Sequence, residues 1–257
     1  VRIDHLFIAG LLPGLLLIVL LSAFSVYKSV RKDVPKTRFQ FKELAGASRD
    51  ILWELPLPFV VLGGIYSGYF AVSEAAAITA VYVFLAEVVI YRDLSIRQLP
   101  EIMKNSMVLV GGILIILGAA MGLTNYLVDA EIPMRLLDFF KANIESRVAF
   151  LVVLNIFLLA VGCTMGIFSA LVVVVPLLAP IAEAYGINQI HLGIIFLANL
   201  EIGASIPPLG INLFIASMRF EKPILRLYLA SLPFIAILLL ALAIITYVPW
   251  LSLTLIK

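Results

Sequence analysis

The sequence predicts an all-α, polytopic membrane protein, and three observations carry that reading. Of 257 residues, 63% are hydrophobic and 13% charged, and the mean hydropathy is +1.14; a soluble domain has no interior large enough for so much apolar surface. The apolar residues come in runs of about 20, the length that a helix needs to cross a hydrocarbon core of about 30 Å. Gly and Pro interrupt some of these runs at membrane depth, where freed backbone groups must find partners in protein or a watery cavity. The net charge is only +2, with the basic residues in short loops, so there is no basic face for nucleic acid. Cys163 is the single cysteine, which excludes an internal disulfide and any multi-cysteine metal site.

Residues 1–38 should hold a first span, Leu6 to Tyr27, and a basic loop. The opening "VRIDHLFIAGLLPGLLLIVLL" has an apolar run too long and too near the start for a small cleavable signal, so the chain is expected to be part of a longer polypeptide. The loop from Lys28 to Trp53 carries Lys28, Arg31, Lys32, Lys36, Arg38, Lys42 and Arg49, which places it in the cytoplasm by the positive-inside rule. Within 39–55, Phe41, Leu44, Ile51, Leu52 and Leu55 recur at helical spacing, with Ser48 as a gap. Such a stripe suits an amphipathic arm helix lying in the cytoplasmic interface.

Residues 56–147 should contain a broken segment, a span and a second amphipathic helix. Pro56 to Tyr91 lies between the first basic loop and a second with Arg92, Arg97 and Lys104. It therefore starts and ends in the cytoplasm, and parity makes it two short segments folded at "GGIYSGYFAVSE". Met107 to Val128 is a plain span. In "EIPMRLLDFFKANI", Leu136, Leu137, Phe140 and Ile144 form an apolar stripe behind Pro133 in the first turn, read as packing on the membrane surface in preference to docking a partner.

Residues 148–185, interrupted by "GCTMGIFSA", are expected to be a re-entrant hairpin that enters and leaves from outside. Its first arm, Val148 to Gly162, would be about 22 Å long, short of a span. Residues 186–218 hold a run broken by "LEIGASIPPLGINLF", and 219–257 hold a third basic loop, with Arg219, Lys222 and Arg226, followed by a last span from Leu227 to Leu251.

The candidate chemistry lies at these breaks. No basic side chain lies within the predicted spans; the acids there are Glu74, Glu87 and Glu201, and intramembrane charge is costly enough to mark function by default. Ser73 and Glu74 also read as a helix start, Ser capping free N–H groups and Glu facing the positive end of the dipole; that role is compatible with lining a cavity. Glu87 is about one turn from Tyr91 and reaches the interface. At Glu201 to Asn212, Pro207 and Pro208 remove two donors and Gly203 and Gly210 let the chain bend, so the helix should split into halves. Carbonyls at such a split bind sodium in secondary transporters, and half-helix N-termini favour an anion, with Ser205 and Asn212 adding neutral contacts. Spacing alone leaves a simple Pro kink equally open. The hairpin, with Thr164, Gly166 and Ser169 at its turn, decides for the split, because a re-entrant hairpin and a broken helix pair in inverted-repeat transporters.

An intramembrane protease is the rival from another class. "GAS" at Gly203 to Ser205 resembles a Gly-x-Ser nucleophile, but on one helix His191 would lie about 21 Å from Ser205, beyond reach as a base. His5 is no better placed, and His191 reads as a loop-end residue. There is no H-E-x-x-H and no aspartate within the spans.

Taken together, "GGIYSGYFAVSEAAAITAVYVF", "VGCTMGIFSALVVVVPLLAPIAEAYGI", "HLGIIFLANLEIGASIPPLGINLF" and "LPFIAILLLALAIITYVPWLSL" resemble, in order and spacing, the C-terminal half of the large membrane subunit of tripartite ATP-independent periplasmic (TRAP) transporters. The resemblance implies an elevator-type transporter, one half of an inverted repeat, that imports an organic acid with sodium across the bacterial inner membrane. It is not an enzyme. Implied partners are a small four-helix membrane subunit, a periplasmic substrate-binding protein and the N-terminal half of the same subunit. Position by position, the resemblance puts Na⁺ mainly on backbone carbonyls at Gly162, Gly166, Ser169, Gly203, Ser205 and Pro207. It puts substrate near Asn199, Pro208 and Asn212, with Ser73 and Glu74 kept as further candidates. Two departures stand out: Ala71-Val72-Ser73-Glu74 replaces a T-P-T-E pattern, and Gly166 stands where many relatives carry an acid. The "GYFAVSEAAA" form leans toward C4-dicarboxylate members. A binding-protein-independent dicarboxylate symporter and a non-transporting scaffold subunit remain as alternatives.

Overall fold

A computed structural model describes residues 2–31, 40–207 and 210–256. The expected ligand Pro208, and the basic residues Lys32, Lys36 and Arg38, lie outside the described residues. Every element that is described is helical. Six helical segments among the described residues are long and apolar enough to cross a membrane: Ile3–Arg31, Val72–Ile90, Leu99–Asp129, Arg147–Thr164, Ile167–Ala184 and Ile224–Tyr247. They are largely unburied within the chain, and large side chains such as Ile115 and Phe59 stand more than 70% exposed. Apolar exposure on this scale is what a lipid or protein surround covers. This is a multi-pass membrane protein.

The chain divides into two compact units. One consists of Ser29–Gly111 with Arg2–Asp4. In it, α3 (Phe41–Asp50) is shorter than the expected arm helix, because residues 51–55 form turns before α4 (Pro56–Tyr66). The turns are held by aromatic groups: Tyr82 Oη donates to the Trp53 carbonyl and Trp53 N–H donates to Tyr91 Oη. The break between α4 and α5 (Val72–Leu85) falls at Ser67–Ala71, where Gly68 has φ +75°. Gly64 gives the ring of Phe70 room to fold back, since a Cβ there would sit 2.1 Å from it. A π-helical turn, Ala86–Ile90, ends α5. α6 (Leu99–Asp129) follows and runs on into the other unit.

That other unit, His5–Lys28 with Gly112–Lys257, contains most of the core. It holds most of α1 (Ile3–Ala9) and of α2 (Leu11–Arg31), with α7 (Ile132–Asn143), α8 (Arg147–Thr164), α9 (Ile167–Ala184), α10 (Gln189–Gly203), α11 (Ile211–Phe220), α12 (Ile224–Tyr247) and α13 (Trp250–Leu253). Phe150, Leu154, Leu158, Ala170, Ile181, Ile195, Phe196 and Leu200 are buried where α8, α9 and α10 meet. The α7 stripe expected to lie on the membrane surface packs on this core instead: Leu136, Leu137, Phe140 and Ile144 all touch it. The reason is aromatic complementarity. Phe140 meets Phe150 edge-on at 5.7 Å, Phe150 stacks on Tyr185 at 4.5 Å, and Tyr185 Oη donates to the Ile144 carbonyl at 2.7 Å. A small second cluster, Ala9, Ile194 and Ile245, joins α1, α10 and α12.

The first hairpin arm is longer than the sequence predicts. Ser146 caps α8 by accepting from Ala149 N–H at 3.1 Å, which starts the helix at Arg147, and the helix continues to Thr164. Its 18 residues reach about 27 Å, close to the hydrocarbon thickness. The expectation of an arm too short to span is thereby corrected. Pro249 ends the last span early, with α12 stopping at Tyr247.

Candidate functional site

The site is built on close contact between two helices of small residues. Gly162, near the end of α8, and Gly203, at the end of α10, touch backbone to backbone. A Cβ on Gly203 would lie 2.7 Å from Gly162 Cα, and one on Gly162 would lie 3.1 Å from Gly203 Cα and 3.0 Å from Leu200 Cα. Small residues permit such an approach in membrane helices. The consequence is electrostatic. Each helix C-terminus carries about half a negative charge, and here two such ends converge, neither helix having a basic residue in its last turn.

The turn beyond α8 contributes a cavity. Gly162, Cys163, Thr164, Met165 and Gly166 line a space of about 330 Å³ with Phe214, Ile215 and Met218 of α11. Thr164 Oγ1 donates back to the Ala160 carbonyl at 2.9 Å, so its lone pairs remain available. Gly166 is the N-cap of α9, which begins the positive end of that helix's dipole beside the same cavity. Ser169 is half-buried in the first turn of α9.

Beyond α10 the backbone does not simply come undone. Ser205 N–H donates to the Ile202 carbonyl, Ile206 N–H to Gly203 and Asn212 N–H to Ala204, at 2.9, 2.9 and 3.3 Å. The break is an organised turn whose carbonyls at Gly203 and Ala204 each keep a second lone pair. Pro207 is half-buried within it. Asn212 Nδ2 donates to Ser205 Oγ at 3.2 Å, which pairs these two candidates. Glu201, the acid in the quoted stretch, is exposed on this chain.

Two expected residues fare differently. Ser73 is not the cap of α5: Ala71 is the N-cap residue, and Glu74 Oε2 accepts from its N–H at 2.9 Å. That is half a capping box, with the carboxylate supplying the contact and no hydroxyl opposite it. Ser73 and Glu74 belong to the other compact unit. Asn199 is fully buried one turn before Gly203.

Around Asn199 lies a polar cluster that sequence reading missed. Asn199 Nδ2 donates to Asn155 Oδ1 at 2.7 Å and to the Ile195 carbonyl at 2.8 Å. Asn155 Nδ2 donates to the Leu151 carbonyl at 2.8 Å, and Thr246 Oγ1 donates to Asn155 Oδ1 at 3.3 Å. His191 is corrected here. It lies in the first turn of α10, not at a loop end, and is fully buried, with Nε2 3.2 Å from the Thr246 carbonyl. Asn188 caps the helix by accepting from Ile190 N–H at 2.8 Å, and the capped turn carries His191 into the core. The signal available was Asn155 itself, an amide inside an apolar run.

Comparison with known proteins places the chain in a family. Residues 1–251 match the family described as Tripartite ATP-independent periplasmic transporter, DctM component. The chain belongs to this family. The DctM component family is one of transporter components and not of enzymes. Among curated DctM relatives, the C4-dicarboxylate TRAP transporter large permease protein DctM of Pseudomonas aeruginosa is 37% identical over 98% of this chain and 60% of its own length. The ectoine/5-hydroxyectoine TRAP transporter large permease protein UehC of Ruegeria pomeroyi is 31% identical over 92% of this chain and 56% of its own. The sialic acid TRAP transporter large permease protein SiaM of Vibrio cholerae is 31% identical over 98% and 60%. The chain thus spans about 60% of the length of the curated relatives that it matches most strongly.

Proposed function

We propose that this chain is the C-terminal part of a TRAP large permease subunit that imports an organic anion with sodium across the bacterial inner membrane. The observation that carries the reading is the convergence of the α8 and α10 C-termini at Gly162 and Gly203, beside a cavity bounded by the α8–α9 turn and α11. Two negative dipole ends and a set of neutral hard oxygens favour a small monovalent cation. The ligands would be backbone carbonyls of Gly162, Gly166, Ser169, Gly203, Ser205 and Pro207. The anion would sit on the other side of the turn, toward the α9 N-terminus and Asn212, with Asn199 as a further candidate; Pro208, Ser73 and Glu74 stay candidates by resemblance alone. Sodium in its site lowers the cost of ordering the hairpin and the broken helix together, so substrate then meets a finished cavity.

In this reading α8 and α9 form a hairpin that enters and leaves from outside and slides, elevator-fashion, with the broken helix α10–α11. The partners are the N-terminal half of the same subunit, a small four-helix membrane subunit and a periplasmic substrate-binding protein. The relatives' named substrates range over C4-dicarboxylates, ectoine and sialic acid. A C4-dicarboxylate is the substrate proposed, on the strength of the greater identity to the dicarboxylate relative.

The test is uptake of a labelled dicarboxylate into proteoliposomes that hold the full-length subunit and its companions. Uptake that requires an inward Na⁺ gradient and the periplasmic protein is expected. Uptake by the membrane subunits alone would favour a binding-protein-independent symporter, and sodium-indifferent uptake would remove the ion from the mechanism.

A further inference from the structure

We propose that Asn155 and Thr246 are positioning residues for sodium, acting through Asn199 to fix the separation of α8 and α10 at the Gly162–Gly203 contact. The inference rests on the sodium reading of that contact. It goes beyond it by assigning a role to two residues, on α8 and α12, that touch neither the cavity nor the turn.

The direction of each amide is settled by its neighbours. Asn155 Nδ2 is used by the Leu151 carbonyl of its own helix, which turns Asn155 Oδ1 toward Asn199 and Thr246. Asn199 Nδ2 faces two acceptors, Asn155 Oδ1 and the Ile195 carbonyl. Rotating either amide by 180° would set oxygen against oxygen, so the assignment is unique. Asn155 Oδ1 is therefore the shared acceptor of two donors from two other helices. A second tie runs parallel to it, from His191 Nε2 on α10 to the Thr246 carbonyl on α12. Polar cross-links of this kind hold membrane helices where apolar packing cannot discriminate register.

The location makes the tie specific to the ion site. Asn199 precedes Gly203 by four residues and Asn155 precedes Gly162 by seven, so each pair shares a helix face. The amide bridge and the glycine contact thus lie on one α8–α10 seam, about one turn apart on α10 and two turns apart on α8. Asn199 Oδ1 has no hydrogen-bond partner among the described residues, although it is fully buried. An unpartnered acceptor of this kind is costly in an apolar interior. It is held in place only because the other side of the same amide is doubly bonded. Removing the bridge leaves α8 and α10 joined by apolar contacts that tolerate sliding, and the two sets of carbonyls lose their fixed spacing.

The experiment measures initial uptake against Na⁺ concentration for the full-length subunit with its companions in proteoliposomes. The variants are Thr246→Val, Thr246→Ser, Asn155→Leu and the double variant Thr246→Val/Asn155→Leu. Thr246→Val is isosteric and carries the test even where Asn155→Leu fails to assemble. Thr246→Val, which deletes one buried hydrogen bond, is expected to raise the half-saturating Na⁺ concentration roughly three- to tenfold, and Asn155→Leu, which deletes the acceptor of both cross-helix bonds, to raise it by more. The double variant should shift it by less than the product of the two, because they share one acceptor. Thr246→Ser keeps the hydroxyl and should restore the unmodified value. A lowered melting temperature with unchanged Na⁺ dependence would reduce these residues to packing and overturn the inference while leaving the ion site standing. Sodium-indifferent uptake by the unmodified protein would overturn the ion reading and this inference with it.

Discussion

A methyl group at Gly203 has nowhere to go. Its Cβ would lie 2.7 Å from Gly162 Cα, 2.8 Å from Gly162 C and 3.0 Å from Cys163 N. All three neighbours are backbone atoms, so no side-chain rotation relieves the clash. Restoring an ordinary contact of about 3.4 Å requires α8 and α10 to part by about 0.7 Å, an overpacking change that costs about 1–3 kcal/mol. Alanine's better helix propensity, worth about 1 kcal/mol in a helix interior, offsets little at the last residue of α10. Gly203→Ala should therefore lower the melting temperature of the purified full-length subunit. It should also cut sodium-driven uptake roughly tenfold or more, because shifts approaching 1 Å disrupt a positioned site. Gly46→Ala is the control: its Cβ meets nothing within 4 Å, and it should be neutral or slightly stabilising. Gly203→Ala with unmodified stability and uptake would refute the close-contact reasoning.

Other expectations follow from single contacts. Asn188→Ala removes the side chain that caps α10 and should cost about 1 kcal/mol, read as a lower melting temperature in detergent. Tyr185→Phe deletes the donor to the Ile144 carbonyl; a loss of about 0.5–1.5 kcal/mol is expected, and limited proteolysis should detect looser attachment of α7. Phe150→Ala empties the core centre between Phe140 and Tyr185 and should cost about 3–5 kcal/mol, enough to abolish recovery of folded subunit. At α5, Glu74→Ala frees the Ala71 N–H whereas Glu74→Gln keeps an acceptor for it, so Gln should melt above Ala.

Much of the fold was legible because lipid imposes simple rules. Length and hydropathy located the spans Leu6 to Tyr27 and Met107 to Val128, which lie inside Ile3–Arg31 and Leu99–Asp129. Glycine and proline located the interruptions at Ser67–Ala71 and after Gly203. Three features were not legible. The α7 stripe was amphipathic, and periodicity does not say whether its apolar face meets lipid or protein; Phe150 in the next helix and Tyr185, 41 residues beyond Ile144, decide that. The first hairpin arm was measured from its apolar run, Val148 to Gly162; the helix gains Arg147 behind the Ser146 cap and continues through Cys163 to Thr164. His191 was read as a loop-end residue and Asn155 was not singled out, because each satisfies a partner more than 40 residues away, and a single sequence carries no trace of such pairing. At the candidate site, the residues were visible as Gly, Ser and Pro at breaks. Their meeting, Gly162 on Gly203, was not visible, since helix spacing gives the face but not the neighbour.

The most direct measurement is the melting temperature of the purified full-length subunit, titrated with NaCl against KCl at equal ionic strength, for the unmodified protein and Gly203→Ala. A ligand that binds only the folded state at 100 times its Kd adds about 2.7 kcal/mol, so a sodium-specific rise is expected in the unmodified protein and its loss in Gly203→Ala. Equal responses to both salts, or a sodium response that Gly203→Ala retains, would place the coupling ion away from the α8–α10 contact.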